Sequence, residues 1–265
     1  MTGLVGLPAR RRRALWAITD TLAMTRRNLL RYVRLPQLLV FSTVQPVMFV
    51  LLFAFVFGGA IDVPGVSYID FLMPGIFVQA VTFGAVQTGV GLADDLSKGM
   101  VDRFRSLPMA RSAVLAGRTF ADTVRNTFVL LLMTAVGYLI GFRIATGWLQ
   151  ALGALALVVG FGLAFSWISA TIGMTVGDPE SAQASSFVWI FPLVFASSAF
   201  VPVETMPGWL QWFAAISPVT MTVDALRGLL LGGPVMRPLL GSLAWSAGFL
   251  ALFVPLAVYR YRRST

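Results

Sequence analysis

Apolar runs of about twenty residues recur along the chain at 36–57, 69–92, 127–144, 148–176, 185–201 and 239–259. No ten-residue stretch alternates apolar and polar positions. Backbone groups in hydrocarbon must be satisfied within the chain, so these runs predict six membrane helices and not the strands of a barrel. Ahead of the first run, Leu15, Ile18, Leu22, Leu29 and Val33 fall on one helical face and Asp20, Arg27, Arg31 and Arg34 on the other. That pattern predicts an amphipathic helix lying in the membrane plane, either a plain anchor or a contact for a cytoplasmic partner. The expected organisation is an N-terminal stretch with an interfacial helix over 1–35 and one transmembrane domain over 36–265.

Two places break the regular pattern. Phe187, Trp189, Phe191, Pro192 and Phe195 lie in a short fifth run that ends before Pro202. Glu204, Pro207, Trp209, Trp212 and Phe213 then lead to Pro218. Two readings fit: a re-entrant hairpin at the outer surface, with Pro202, Glu204 and Pro207 as outer-gate candidates, or an outer loop with an interfacial helix. The second break is the charged stretch 98–118, KGMVDRFRSLPMARSAVLAGR. Met100, Val101, Phe104 and Leu107 recur at helical spacing with Asp102, Arg103 and Arg105 between them, and Pro108 stops the pattern. A second helical pattern continues through Val114, Leu115, Thr119, Asp122 and Arg125 into the third run. The whole is a helical elbow whose arginines either enforce topology or transmit force.

Composition sharpens this picture. Hydrophobic residues make up 57% of the 265 and charged residues only 12%, against about 25% charged in a soluble domain, so part of the solvent must be lipid. The net charge of +9 does not point to nucleic acid, because the basic residues sit at the ends of apolar runs and not along one soluble face. Arg10 to Arg13, Arg26, Arg27, Arg31 and Arg34 precede the first run. Lys98, Arg103, Arg105, Arg111, Arg118 and Arg125 separate the second from the third, and Arg260, Arg262 and Arg263 follow the last. The positive-inside rule then places both termini and the elbow in the cytoplasm of a multi-pass plasma-membrane protein. The arginine-rich start lacks a clean apolar core and a cleavage site, so it reads as a retained segment and not as a signal peptide.

Several chemistries are excluded. The chain has no cysteine and no histidine, which removes thiolate metal sites, disulfides and the commonest general base. Its one lysine, Lys98, is followed by Gly99 and Met100 without the glycine lead of a phosphate-binding loop, so ATP is not bound by that route. Asp94-Asp95 is the only adjacent carboxylate pair, and neighbours on a helix diverge. A membrane-embedded transferase is therefore disfavoured. Asp62, Asp70, Asp94, Asp95, Asp178, Glu180 and Glu204 fall at the ends of runs or in loops, and Asp224 in the outer segment; the expectation is that no carboxylate sits near mid-membrane, which argues against proton coupling. In the second run, Gln79, Thr82, Gln87 and Thr88 accompany Gly75, Gly84, Gly89 and Gly91, a mixture that serves helix packing or lines a path.

The strings LMPGIFVQ (72–79), GVGLADDLSKGMVDRFRSLPMARSAVLAGRTFADTVRN (89–126) and FVPVETMPGWLQWFAAISPVT (200–220) resemble the membrane subunit of ABC-2-type exporters, above all the daunorubicin/doxorubicin-resistance permease family. The resemblance covers essentially the whole chain. It implies an all-α integral membrane fold of the ABC-2 (type V exporter) kind: six helices, an interfacial N-terminal helix, a cytoplasmic coupling helix and an outer re-entrant hairpin. It also implies a homodimer driven by two copies of a separate ATPase subunit that binds the ATP and Mg, with no cofactor in this chain. Gly99, Asp102, Arg103, Phe104, Arg105, Leu107 and Pro108 match the coupling position. Gln79, Phe83, Gln87, Trp189, Phe191 and Phe195 fall where the family's path runs, and the implied cargo is a lipophilic drug or lipid. A polysaccharide or lipid-linked glycan exporter of the same superfamily is the alternative.

Overall fold

A computed structural model describes residues 9–34, 36–59, 61, 63, 65–100 and 111–263. Among these residues the chain is helical, with no strand. Helix α1 spans Ala9–Arg34. Helix α2 spans Pro36–Leu51 and runs on as a π-helical turn, Leu52–Phe57. Then come α3 (Tyr68–Ser97), α4 (Arg111–Leu139), α5 (Trp148–Val176) and α6 (Pro179–Phe195). A short 3-10 turn, Val203–Thr205, precedes α7 (Gly208–Ile216), α8 (Pro218–Leu231) and α9 (Met236–Arg263).

The boundaries follow local chemistry. Ser67 caps α3 reciprocally with Asp70: its Oγ accepts from the Asp70 N–H at 3.2 Å and donates to the Asp70 carboxylate at 2.6 Å, a variant of the capping box. Helix α5 ends at Gly177, which takes the left-handed conformation (φ +82), and Asp178 and Pro179 at once begin α6. An N-cap followed by proline at the first helical position is a strong start signal. It moves the fifth helix to Pro179–Phe195, upstream of the 185–201 expected from hydropathy alone, because Ser181, Gln183 and Ser185 dilute the apolar signal without opposing helix formation. The third helix likewise departs from its apolar run. It begins at Arg111 and stops at Leu139, so the second helical pattern after Pro108 is its first half.

Helices α3, α5 and α9 are each long and apolar enough to cross a bilayer unaided, and α7 and α8 join at a 72° bend that together meets the same test. Helix α3 is the hub. Its 30 residues extend about 45 Å, longer than the roughly 30 Å of hydrocarbon. It meets α5 backbone to backbone: a Cβ on Gly173 would stand 2.1 Å from the Gly89 carbonyl oxygen, and one on Gly89 2.4 Å from that of Ser169. Small residues at such a crossing let two helices gain dispersion contact where lipid supplies no hydrophobic drive. Helix α9 is the opposite case, with Leu240, Leu243, Leu252 and Leu256 all exposed, the surface of a lipid-facing helix.

The two ends of the bundle differ. At one end, Met24 of α1, Leu92 of α3, Leu115 of α4 and Tyr261 of α9 share an apolar cluster, so the N-terminal and C-terminal helices both reach that end. At the other end, Tyr68 donates to the Phe200 carbonyl at 3.2 Å, the Arg143 N–H donates to Asp70 at 3.1 Å, and the Ala145 N–H donates to the Leu230 carbonyl at 2.9 Å. Trp148, Trp209 and Trp212 are exposed at that second end, where interfacial tryptophans belong.

Helix α1 packs on α4 by one face. Ile18 and Leu22 are exposed, whereas Met24 and Asn28 are buried. A Cβ on Gly117 of α4 would lie 2.5 Å from the Met24 Cβ. The face that packs on α4 is therefore a mixed one, and Ile18 and Leu22 are left outward.

Candidate functional site

Near the end that carries α1, a charged cluster is built between α1, α3 and α4. Asp122 lies 11 residues into α4, roughly 17 Å along the helix at 1.5 Å per residue, and is fully buried. Thr88 of α3 donates to its Oδ2 at 2.6 Å, and Tyr32 of α1 donates to its Oδ1. Arg118 and Arg125, one turn to either side on the same helix, approach its carboxylate at 3.5 and 3.6 Å. The arginines also bind α3 through its main chain: Arg125 donates to the Gly84 carbonyl at 2.7 Å and Arg118 to the Gln87 carbonyl at 3.3 Å, while within α4 Arg125 also donates to the Asn126 amide oxygen at 3.0 Å. Asp95 extends the cluster, 4.0 Å from Arg118 and 3.8 Å from Arg27.

Asp122 is thus a carboxylate buried among helices, just ahead of the apolar run at 127–144. Asp122 reads as part of a polar lead-in to the third run, but the lead-in is itself a packed helix. Two guanidiniums, a hydroxyl and a phenol surround Asp122, the partners that a buried carboxylate requires. Glycines make the room. A Cβ on Gly91 would fall 1.7 Å from Arg118 Nη2, and one on Gly84 2.4 Å from the Asn126 amide oxygen.

A cavity of about 650 Å³ opens beside this cluster. Its polar wall includes Asn28, Gln79, Lys98, Arg118, Arg125 and Asn126. Its apolar wall includes Val44, Pro46, Phe83, Val90 and Val129. Three of the path candidates, Gln79, Phe83 and Gln87, line it. Phe191 and Phe195 are brought next to them without lining it: Phe83 meets Phe191 with ring centres 5.3 Å apart, Phe191 stacks on Phe195 at 5.4 Å, and Phe195 on Phe200 at 5.1 Å. The result is an aromatic row leading from the cavity toward the tryptophan-bearing end. Trp189 stands apart, stacked on Phe165 of α5 at 5.4 Å. A second cavity, about 400 Å³ and almost wholly apolar, lies between Phe77, Leu130, Trp148 and Leu226.

The outer candidates lie away from both cavities. The Pro202 carbonyl accepts from the Thr205 hydroxyl at 2.7 Å, the Glu204 carbonyl accepts from Gln211 at 3.2 Å, and Pro207 opens α7 with Glu204 and Pro207 exposed. Of the coupling candidates, Gly99 follows α3 in a left-handed conformation (φ +63) with its N–H on the Leu96 carbonyl, a glycine stop. Asp102, Arg103, Phe104, Arg105, Leu107 and Pro108 lie outside the described residues. Sequence reasoning missed Tyr32, Asn28 and Asn126 as site residues. The four-residue spacing from Asn28 to Tyr32 was the available signal.

Residues 19–231 match the ABC-2 type transporter family. The chain belongs to that family. This ABC-2 permease is 36% identical over 246 residues to the daunorubicin resistance ABC transporter permease protein DrrB1 of Streptomyces coeruleorubidus, covering 93% of this chain and 87% of that one. It is 30% identical over 261 residues to the probable doxorubicin resistance ABC transporter permease protein DrrC of Mycobacterium tuberculosis, covering 98% and 94%. Similarity extends to the putative transport permease ycf38 of Cyanophora paradoxa, 25% identical over 216 residues and covering 80% and 74%. The buried charges of this ABC-2 permease thus lie inside the matched region, as does the whole of the larger cavity.

Proposed function

We propose that this permease is the membrane subunit of an ATP-driven exporter that moves lipophilic drugs or lipids out of the cell. It crosses the plasma membrane six times through α2, α3, α4, α5, α6 and α9, with α7 and α8 forming the bent outer segment and both termini in the cytoplasm. Two copies pair about a common path, and two copies of a separate ATPase chain hold the ATP and Mg. The observation that carries this reading is the cavity beside α3 joined to the aromatic row of half-buried Phe83 and exposed Phe191 and Phe195. Stacking and shape suit greasy cargo of varied structure. The names of the drug-resistance relatives support the same class of cargo.

Residues 98–110 join the C-terminal end of α3 to the start of α4, both of which grip the charged cluster. A push on that segment by the ATPase is felt directly at the wall of the cavity, and a rigid-body tilt of α3 with α4 is the available response. The testing experiment is reconstitution of the permease with its ATPase in liposomes. An amphipathic dye is expected to raise ATP hydrolysis only when the permease is present. Dye-independent hydrolysis, equal with and without the permease, overturns the proposal.

A further inference from the structure

The larger cavity is asymmetric in charge as well as in polarity. Lys98, Arg118 and Arg125 line it against one carboxylate, Asp94, and Lys98 already holds that carboxylate at 2.7 Å. Behind the wall, Asp122 is divided between Arg118 and Arg125. Asp95 reaches Arg118 only at 4.0 Å while it also faces Arg27. Among the described residues that line the cavity, Lys98, Arg118 and Arg125 outnumber the single carboxylate Asp94, with Asp122 buried behind them, so the wall has a net positive character. One further polar group is committed to the space: Gln79 lines the cavity at 3% exposure with its Oε1 unbonded.

We propose that this cavity binds an amphiphile with an anionic head group. The head lies toward Lys98, Arg118 and Arg125, a hydroxyl of the head group donates to Gln79 Oε1, and the chain passes Phe83 onto the row of Phe191 and Phe195. Basic pockets between membrane helices take anionic head groups for this reason, and guanidiniums match the oxygens of a phosphate in particular. A cationic amphiphile meets like charge at the same wall. The inference rests on the transport reading for its role, and it narrows the preferred cargo or resident lipid of that site by charge.

The test uses the full-length permease in neutral detergent, without any ATPase, and counts bound molecules by native mass spectrometry. Phosphatidylglycerol is expected to bind about tenfold more tightly than phosphatidylcholine, and inorganic phosphate not to displace it. Gln87→Glu sets a carboxylate at an exposed position on the rim, leaves Lys98, Arg118 and Arg125 themselves unchanged, and is expected to remove most of the preference. Val44→Trp fills the cavity from an exposed position and is expected to weaken both lipids. Thermal melting of each variant separates these effects from misfolding. Equal binding of the two lipids, displacement by inorganic phosphate, or a preference unchanged by Gln87→Glu overturns the inference. Because the measurement omits the ATPase, its failure leaves export intact, and a failure of stimulated hydrolysis leaves the binding site intact. With ATPase restored, ATP-driven movement of a fluorescent phosphatidylglycerol marks the ligand as cargo; lipid bound but not moved marks it as resident.

Discussion

Gly91 and Arg118 occupy one shared volume: the Cβ that glycine lacks would stand 1.7 Å from Arg118 Nη2. The guanidinium therefore lies against the bare backbone of α3, where it reaches the Gln87 carbonyl and closes one side of the buried carboxylate of Asp122. A side chain at Gly91 acts on the charged cluster as surely as a change of the arginine itself.

Gly91→Val is expected to lower stability by about 1–3 kcal/mol, the usual range for overpacking, read as a drop in melting temperature of the purified protein. Gly153→Ala is the control. It sits within α5 with nothing within 4 Å of the added Cβ, and is expected to be neutral or slightly stabilising.

Asp122→Asn leaves Arg118 and Arg125 without their shared counter-charge. The expected loss is about 3–5 kcal/mol, as when one partner of a buried pair is removed. Adding Arg118→Gln to the same chain should recover part of that loss. A double change no better than the single one in thermal melting would show that Asp122 acts chiefly through Thr88 and Tyr32.

Arg227 clasps the opposite end of the bundle. Its guanidinium donates to the Phe71 carbonyl at 3.0 and 3.1 Å and to the Ser198 carbonyl at 2.6 Å, pairs with Asp224 at 3.0 Å, and lies 3.5 Å above the Phe71 ring. Lysine keeps the charge but not the planar fork. Arg227→Lys is expected to cost about 1.5–3 kcal/mol and to speed amide exchange across α8 without affecting the α1 end.

The start of α6 should respond to acid. The Ser181 backbone N–H donates to Asp178 at 2.8 Å and holds its carboxyl below the ordinary 3.8. A depressed folded value means that the cap contributes fully above the ordinary value and is lost as pH falls through the folded one. Hydrogen exchange at Ser181 should therefore accelerate below pH 3.8, and Asp178→Ala should show the faster exchange already at neutral pH.

The basic elbow offers the test of coupling. Arg103→Glu with Arg105→Glu is expected to abolish dye-stimulated ATP hydrolysis by the reconstituted complex while membrane insertion is retained. Full stimulation with both changes in place would remove these arginines from the ATPase contact.

How much was legible beforehand differs from element to element. The fourth apolar run and α5 coincide at 148–176, because an uninterrupted apolar segment bounded by Gly147 and Gly177 allows no other solution. The fifth was placed too late, because hydropathy outweighed the cap at Asp178 and Pro179. In the second run the glycines read as packing residues or as part of a path. Gly89 is a packing residue, against Ser169 and Gly173, whereas Gly84 and Gly91 are vacancies filled by Asn126 and Arg118. Trp189 and Phe191 are two residues apart on a helix and so point in different directions, which is why one stacks on α5 and the other joins the row from Phe83.

By itself the sequence determined that the chain is a helical membrane protein, since a bilayer admits few ways to satisfy the backbone of long apolar runs, and its motifs carried the resemblance to exporter permeases. It did not decide where the charges of α1, α3 and α4 meet. Asp122, Arg118, Arg125, Thr88 and Tyr32 lie up to 93 residues apart along the chain, and hydropathy records only that they are polar. Whether such groups face lipid, water or one another is set by how helices cross. Tertiary packing alone turned a polar lead-in into a buried ionic wall beside a cavity.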